Sequence, residues 1–63
     1  MSSKKRKTII YGIARYSDGT YKTSRNFVNP EAFSRWANEQ FRKDNEVVIW
    51  EYHDYKEVGT WSA

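Results

Sequence analysis

Sixty-three residues, 38% hydrophobic and 17% aromatic, allow one small domain. With no cysteine and one histidine, the chain has neither a disulfide staple nor the ligands for a structural zinc site, and no run approaches the ~20 apolar residues of a membrane-spanning helix. The net charge of +3 is uneven: residues 1–8 contribute +4, residues 9–43 contribute +3 and residues 44–63 contribute −4.

Residues 1–7 hold the run Lys4, Lys5, Arg6, Lys7 and read as a disordered basic tail, with one domain over residues 8–63. The apolar stretch that follows is interrupted at Gly12, Arg15 and Asp18 and offers no signal-peptide cleavage site. An intracellular, cytoplasmic protein is therefore the expectation. The tail suits phosphate contact or nuclear localisation as well as simple solubility.

Thr8 to Tyr16 is rich in β-branched and aromatic residues and reads as a strand. Asp18-Gly19 marks a hairpin, since both residues tolerate the positive φ that tight turns need, and Tyr21 to Phe27 returns as the second strand. A two-residue loop places Ile10, Gly12 and Ala14 on one face with Tyr21, Thr23 and Phe27. A three-residue loop, Ser17-Asp18-Gly19 with Gly19 left-handed, gathers Ile9, Tyr11, Ile13, Tyr21 and Phe27 instead. The second is preferred because it concentrates more apolar area.

Asn29-Pro30-Glu31 is a helix start: a capping side chain, a proline that loses no hydrogen bond, and an acid at the positive end of the dipole. Phe33, Trp36, Ala37, Gln40 and Phe41 follow at helical spacing and form one amphipathic face, and Asp44-Asn45 ends the helix behind Arg42 and Lys43. Glu46 to Tyr52 is a strand with Val47 and Ile49 on one face and Val48, Trp50 and Tyr52 on the other. Tyr55 to Trp61 forms either a short fourth strand hairpinned onto the third or a loose tail. The expected fold is α+β: an antiparallel sheet of three strands, four if 55–61 pairs back, with one helix packed across it in the order β-β-α-β(-β). The third strand should lie beside the first.

No catalytic motif is present, and no cofactor is expected. His53 and Asp54 are adjacent, so on a strand they point to opposite faces and make no direct relay. Glu46, Glu51, Asp54 and Glu57 lie close in sequence but lack calcium-loop spacing and read as a solvated acidic face. The chain is thus expected to be a non-enzymatic binding protein.

Eleven aromatic residues exceed what one helix and three strands can bury, so several rings must stay at the surface. Exposed Trp and Tyr beside Arg are typical of protein-interface hot spots. Trp50, Tyr52, Tyr55 and Trp61, with Arg15 and Arg25 as polar anchors, are the candidate protein-binding residues. The alternative is a nucleic-acid interface built from Lys4, Lys5, Arg6, Lys7, Arg15, Tyr16, Tyr21, Lys22 and Arg25. It ranks second because residues 9–63 carry seven basic against eight acidic side chains. Self-association through an edge strand is a further mode open to a small sheet.

A β-β-α-β order with a basic hairpin resembles, in architecture alone, two groups. One is the small phage-encoded inhibitors of host enzymes; the other is the three-stranded DNA-binding domains at the N-termini of some phage integrases. The first resemblance implies a regulator or inhibitor that occludes a larger partner, and the second a DNA-binding domain.

Overall fold

The computed structural model describes residues 7–62. Strands β1 (Ile10–Arg15), β2 (Tyr21–Thr23), β3 (Val48–His53) and β4 (Lys56–Ser62) form one antiparallel sheet in the order β2-β1-β3-β4, and helix α1 (Pro30–Lys43) connects β2 to β3. The α+β class, the position of the helix and the pairing of β3 beside β1 follow the sequence expectation. The fourth strand is formed.

The first hairpin closes through the three-residue loop. The Tyr16 amide donates to the Thr20 carbonyl at 2.8 Å and the Gly19 amide to the Tyr16 carbonyl at 2.9 Å, with Gly19 at φ 91°. Asp18 stiffens the loop by accepting from the Thr20 amide and hydroxyl. The register pairs Arg15 with Tyr21 and Ile13 with Thr23, so these four share a face with Tyr11.

Phe27 does not join them, which corrects the expected grouping. Ser24 hydrogen-bonds across to Gly12 and Phe27 exchanges two bonds with Ile10, so three residue steps on this strand oppose two on β1. The extra residue ends β2 at Thr23 and moves Phe27 to the opposite face. The Ser24 hydroxyl accepts from the Gly12 amide at 2.9 Å and donates to the Arg25 carbonyl, satisfying backbone groups that the irregularity would orphan.

The helix covers the face with less apolar area on β1, that of Ile10, Gly12 and Ala14. Gly12 lets it approach: a Cβ there would lie 2.6 Å from Phe33 Cε1 and 3.0 Å from Trp36 Cζ3. Asn29 caps the helix, its Oδ1 accepting from the Ala32 amide at 2.8 Å, and Pro30 occupies the first turn. The buried core comprises Ile10, Ala14, Phe27, Phe33, Ala37, Val47 and Ile49, with Trp36, Phe41 and Trp61 packed around it. Phe33 is its hub, edge-on to Phe27 and Trp61. Burying a side chain of this size stabilises the fold by about 1.5–3 kcal/mol.

Gln40, on the apolar face of α1, is buried but satisfied: its Oε1 accepts from the Tyr16 hydroxyl and its Nε2 donates to the Trp36 carbonyl. Asp44 then binds the helix end to the hairpin tip. It accepts from the Ser17 amide at 2.8 Å, the Ser17 hydroxyl at 2.9 Å and the Glu46 amide at 3.0 Å. These donors hold its carboxyl below the usual carboxylate range.

The second hairpin turns at Asp54-Tyr55, both at positive φ (51° and 70°), with His53 paired to Lys56. Two consecutive left-handed residues are the mark of a type I′ turn, whose twist matches that of the flanking strands. The turn lets β4 pair along β3, with an irregularity beside Glu51 and Tyr52 that leaves Val58 exposed. Asp54 also locks the turn to the start of β1, donating its amide to the Ile9 carbonyl and accepting from the Ile9 amide.

Candidate functional site: the open face of the sheet

A single helix can cover one face of a sheet. On the other, strand alternation places Tyr11, Ile13 and Arg15 of β1 beside Val48, Trp50 and Tyr52 of β3, with Tyr21 and Thr23 of β2 and Thr60 of β4 at the flanks. Among the described residues no element packs over this face. Its apolar side chains on the central strands are half-buried, whereas Arg15 is exposed and Tyr21, at 63%, largely so.

The rings are ordered by contacts with one another. Tyr11 stands directly opposite Tyr52, and the two rings stack at 5.0 Å with 7° between their planes. Tyr55 also meets Tyr11, with ring centres 5.9 Å apart and planes tilted by 53°. One step along the pair, Ile13 opposes Trp50, whose ring lies 5.8 Å beneath the Arg15 guanidinium. That contact stabilises by about 0.5–1 kcal/mol at an exposed site. Arg15 meets no carboxylate, since His53–Glu51 is the single close ion pair among the described residues.

Tyr55 is the strained member of the group. A non-glycine residue in the left-handed region costs roughly 1–2 kcal/mol, yet the tyrosine at this turn position is 68% exposed. Its burial does not repay the strain, and its ring extends the aromatic surface beyond the edge of β3.

The candidate protein-binding residues divide. Trp50, Tyr52, Tyr55 and Arg15 meet on the open face. Trp61 lies opposite Ile49 on the helix side, where it packs edge-on to Phe33 and donates its indole N–H to Glu51 Oε1 at 2.8 Å. Arg25 also lies apart, its guanidinium 5.2 Å over Phe27.

The candidate nucleic-acid residues are more dispersed. Lys4, Lys5 and Arg6 lie outside the described residues, and Lys7 is exposed ahead of β1. Arg15 and Tyr21 share the open face, but Lys22 pairs with Ala14 and belongs to the helix side. The Tyr16 hydroxyl is held by Gln40, and burial together with the nearby Asp44 charge pushes its ionisation upward.

Ile13, Val48 and Tyr11 complete the open face. None of the three is among the candidates read from sequence, although Val48 precedes Trp50 by the two-residue strand period. A second cluster also went unnoticed there: on the helix side Glu51 is shared between Trp61 and His53, whose Nε2 lies 2.6 Å from Glu51 Oε2. The i, i+2 spacing of Glu51 and His53 was its available signal. No nucleophile accompanies it in these contacts, and it reads as a polar clasp joining β3 to β4. Among the described residues no three His, Cys, Asp or Glu side chains converge to hold a metal ion, and no helix is long and apolar enough to cross a membrane. No family model, curated protein or solved structure matches this chain.

Proposed function

We propose that the protein is a non-enzymatic protein-binding module whose open sheet face docks on a larger partner, as a regulator or inhibitor that occludes it. The observation that carries this reading is the uncovered cluster of Tyr11, Ile13, Val48, Trp50 and Tyr52 on the two central strands, edged by Arg15 and by the strained, exposed Tyr55. Aromatic anchors beside an arginine with no carboxylate partner are the composition of an interface hot spot.

Ring orientation favours protein over nucleic acid. Bases stack on open ring faces, but Tyr11 and Tyr52 present theirs to each other and Trp50 presents one to Arg15. Residues 7–62 also carry eight basic and eight acidic side chains, so the folded part lacks the electrostatic drive for a polyanion.

Affinity capture from a lysate of the native source tests the reading, with the tagged chain compared with Trp50→Thr/Tyr52→Thr. Threonine keeps the β preference of both positions. The expected result is a partner captured by the parent chain and lost with the double variant, whose circular dichroism stays that of the folded protein. Equal capture by the folded variant would sink it. A nucleic-acid function would instead appear as salt-steep binding of oligonucleotides.

A further inference from the structure

The second surface lies on the opposite side of the sheet, at its β2 edge. Helix α1 packs over β1 and leaves β2 exposed along its length. Between the helix and the segment after β2 runs a groove of about 340 Å³, lined by Arg25, Phe27, Ala32, Arg35, Trp36 and Glu39. The helical members recur at i, i+3, i+4 and i+7, forming one stripe along α1 that faces Arg25 and Phe27. Its floor is apolar (Phe27, Ala32, Trp36), and two guanidiniums flank it. Lys22, on the helix side of β2 by its pairing with Ala14, adds a third cation. None of the three meets a carboxylate within ion-pair distance among the described residues.

The same edge offers backbone groups. Among the described residues β2 pairs with β1 alone, and no strand lies beside its outer edge. An exposed edge is a template for strand addition, in which main-chain bonds give affinity and alternate side chains give specificity. A strand added here would send every second side chain to the helix side, about 6.6 Å apart, where the cations and apolar floor lie.

We propose that this groove and the β2 edge together form a second binding site, for an extended acidic polypeptide segment. The segment pairs with β2, sets carboxylates against Lys22, Arg25 (whose guanidinium caps the Phe27 ring) and Arg35, and rests an apolar side chain on Ala32 and Trp36. Charge complementarity selects an acidic segment over a basic one. Glu39 in the groove wall selects spaced carboxylates over a nucleic-acid backbone, which would bring a phosphate past it at every nucleotide. The cations and apolar contacts of this site lie on the helix side and are distinct from those of the open face, although the two surfaces border on β2, whose Tyr21 and Thr23 side chains point to the open face.

The test uses the full chain and a fluorescein-labelled peptide, Thr-Glu-Thr-Leu-Thr-Glu-Thr, which puts Glu, Leu and Glu on one strand face. Its counterpart with Lys for Glu and an oligo-dT are the comparators. Anisotropy should show salt-sensitive binding of the Glu peptide alone, with amide shifts at Tyr21–Thr23 and at the Trp36 indole. Arg25→Gln/Arg35→Gln should weaken it by about tenfold or more, each tenfold being about 1.4 kcal/mol. Lys56→Gln, an exposed charge lost on β4 at the opposite edge of the sheet, and Trp50→Thr, on the open face, should leave it unchanged.

The proposal is overturned by no Glu-peptide binding below about 1 mM, by equal binding of the Lys peptide, or by indifference to the Arg25/Arg35 double variant. It is likewise overturned by shifts confined to Tyr11, Trp50 and Tyr52, or by oligo-dT binding more tightly at the same residues. The peptide outcomes leave the open-face reading standing, because that reading is decided by Trp50 and Tyr52, whereas tight oligo-dT binding counts against both.

Discussion

Replacing Gly12 with alanine tests the packing that decides which face of the sheet is covered. In an ordinary strand Gly→Ala is favourable, because the unfolded chain loses freedom worth about 0.4–1 kcal/mol. Here the added methyl would sit 2.6 Å from Phe33 Cε1, where ordinary contact begins at 3.4 Å, so the ring must retreat by most of an ångström. Phe33 has little room: it is 1% exposed and wedged among Phe27, Trp36 and Trp61, with ring centres 5.5 to 6.2 Å away. Overpacking of this kind costs about 1–3 kcal/mol, so the net destabilisation is about 1.3 kcal/mol at the middle of the two ranges. A domain this small has a total stability of only about 3–9 kcal/mol, and each kcal/mol moves Tm by about 4–8 °C. Urea and thermal denaturation should therefore show Gly12→Ala melting about 5–10 °C below the parent. Phe33→Leu in that background should cost less than Phe33→Leu alone, because the smaller side chain relieves the clash. A Gly12→Ala chain as stable as the parent, or more stable, would refute the close approach of helix to strand.

Three further outcomes follow from local geometry. At Tyr55 the usual order of glycine and alanine should invert: Tyr55→Gly should be more stable than Tyr55→Ala by about 1 kcal/mol in urea melts, because only glycine escapes the left-handed penalty, and both should weaken partner binding. Asp44 has a depressed folded pKa, so its contribution is present above the ordinary carboxyl value of 3.8 and is lost as pH falls through the lower folded value. Asp44→Asn should thus lower Tm at neutral pH, with the gap to the parent closing in acid; a pH-independent gap would contradict the carboxylate's role. Glu51→Ala strands the Trp61 indole N–H and should cost about 1–3 kcal/mol, with faster exchange of that indole proton seen by NMR.

The parts of the fold legible in sequence were those set by local chemistry. Asn29-Pro30 starts the helix, Asp18-Gly19 turns the first hairpin through the expected three-residue loop, and alternation in β3 separates Val47 and Ile49 from Trp50 and Tyr52. What escaped depends on contacts across the chain. The one-residue irregularity after Thr23 leaves no local mark, yet it sends Phe27 to the helix side. Apolar content favoured the Tyr11–Ile13 face as the better-filled one, whereas the helix chose the opposite face, which Gly12 makes flat enough for Phe33. The second turn was obscured by Tyr55, a residue that type I′ geometry ordinarily disfavours.

The candidate site shows the same division. The strand period places Trp50 and Tyr52 together and Arg15 is a sequence candidate beside them, but the pairing of Tyr11 with Tyr52 and of Ile13 with Trp50 follows only from the β1–β3 register. Trp61 was drawn to the core because β4 pairs Trp61 with Ile49 rather than carrying it into solvent. Surplus aromatic content signals that rings must remain outside the core but not which ones. Topology assigns them.

The open face as the docking surface is tested most directly by hydroxyl-radical footprinting of the protein with and without its captured partner, read residue by residue by mass spectrometry. Docking there predicts that oxidation of Tyr11, Trp50, Tyr52 and Tyr55 falls on binding while Trp36, on the far side of the sheet, keeps its rate. Unchanged oxidation of Trp50 and Tyr52 in the saturated complex would contradict it.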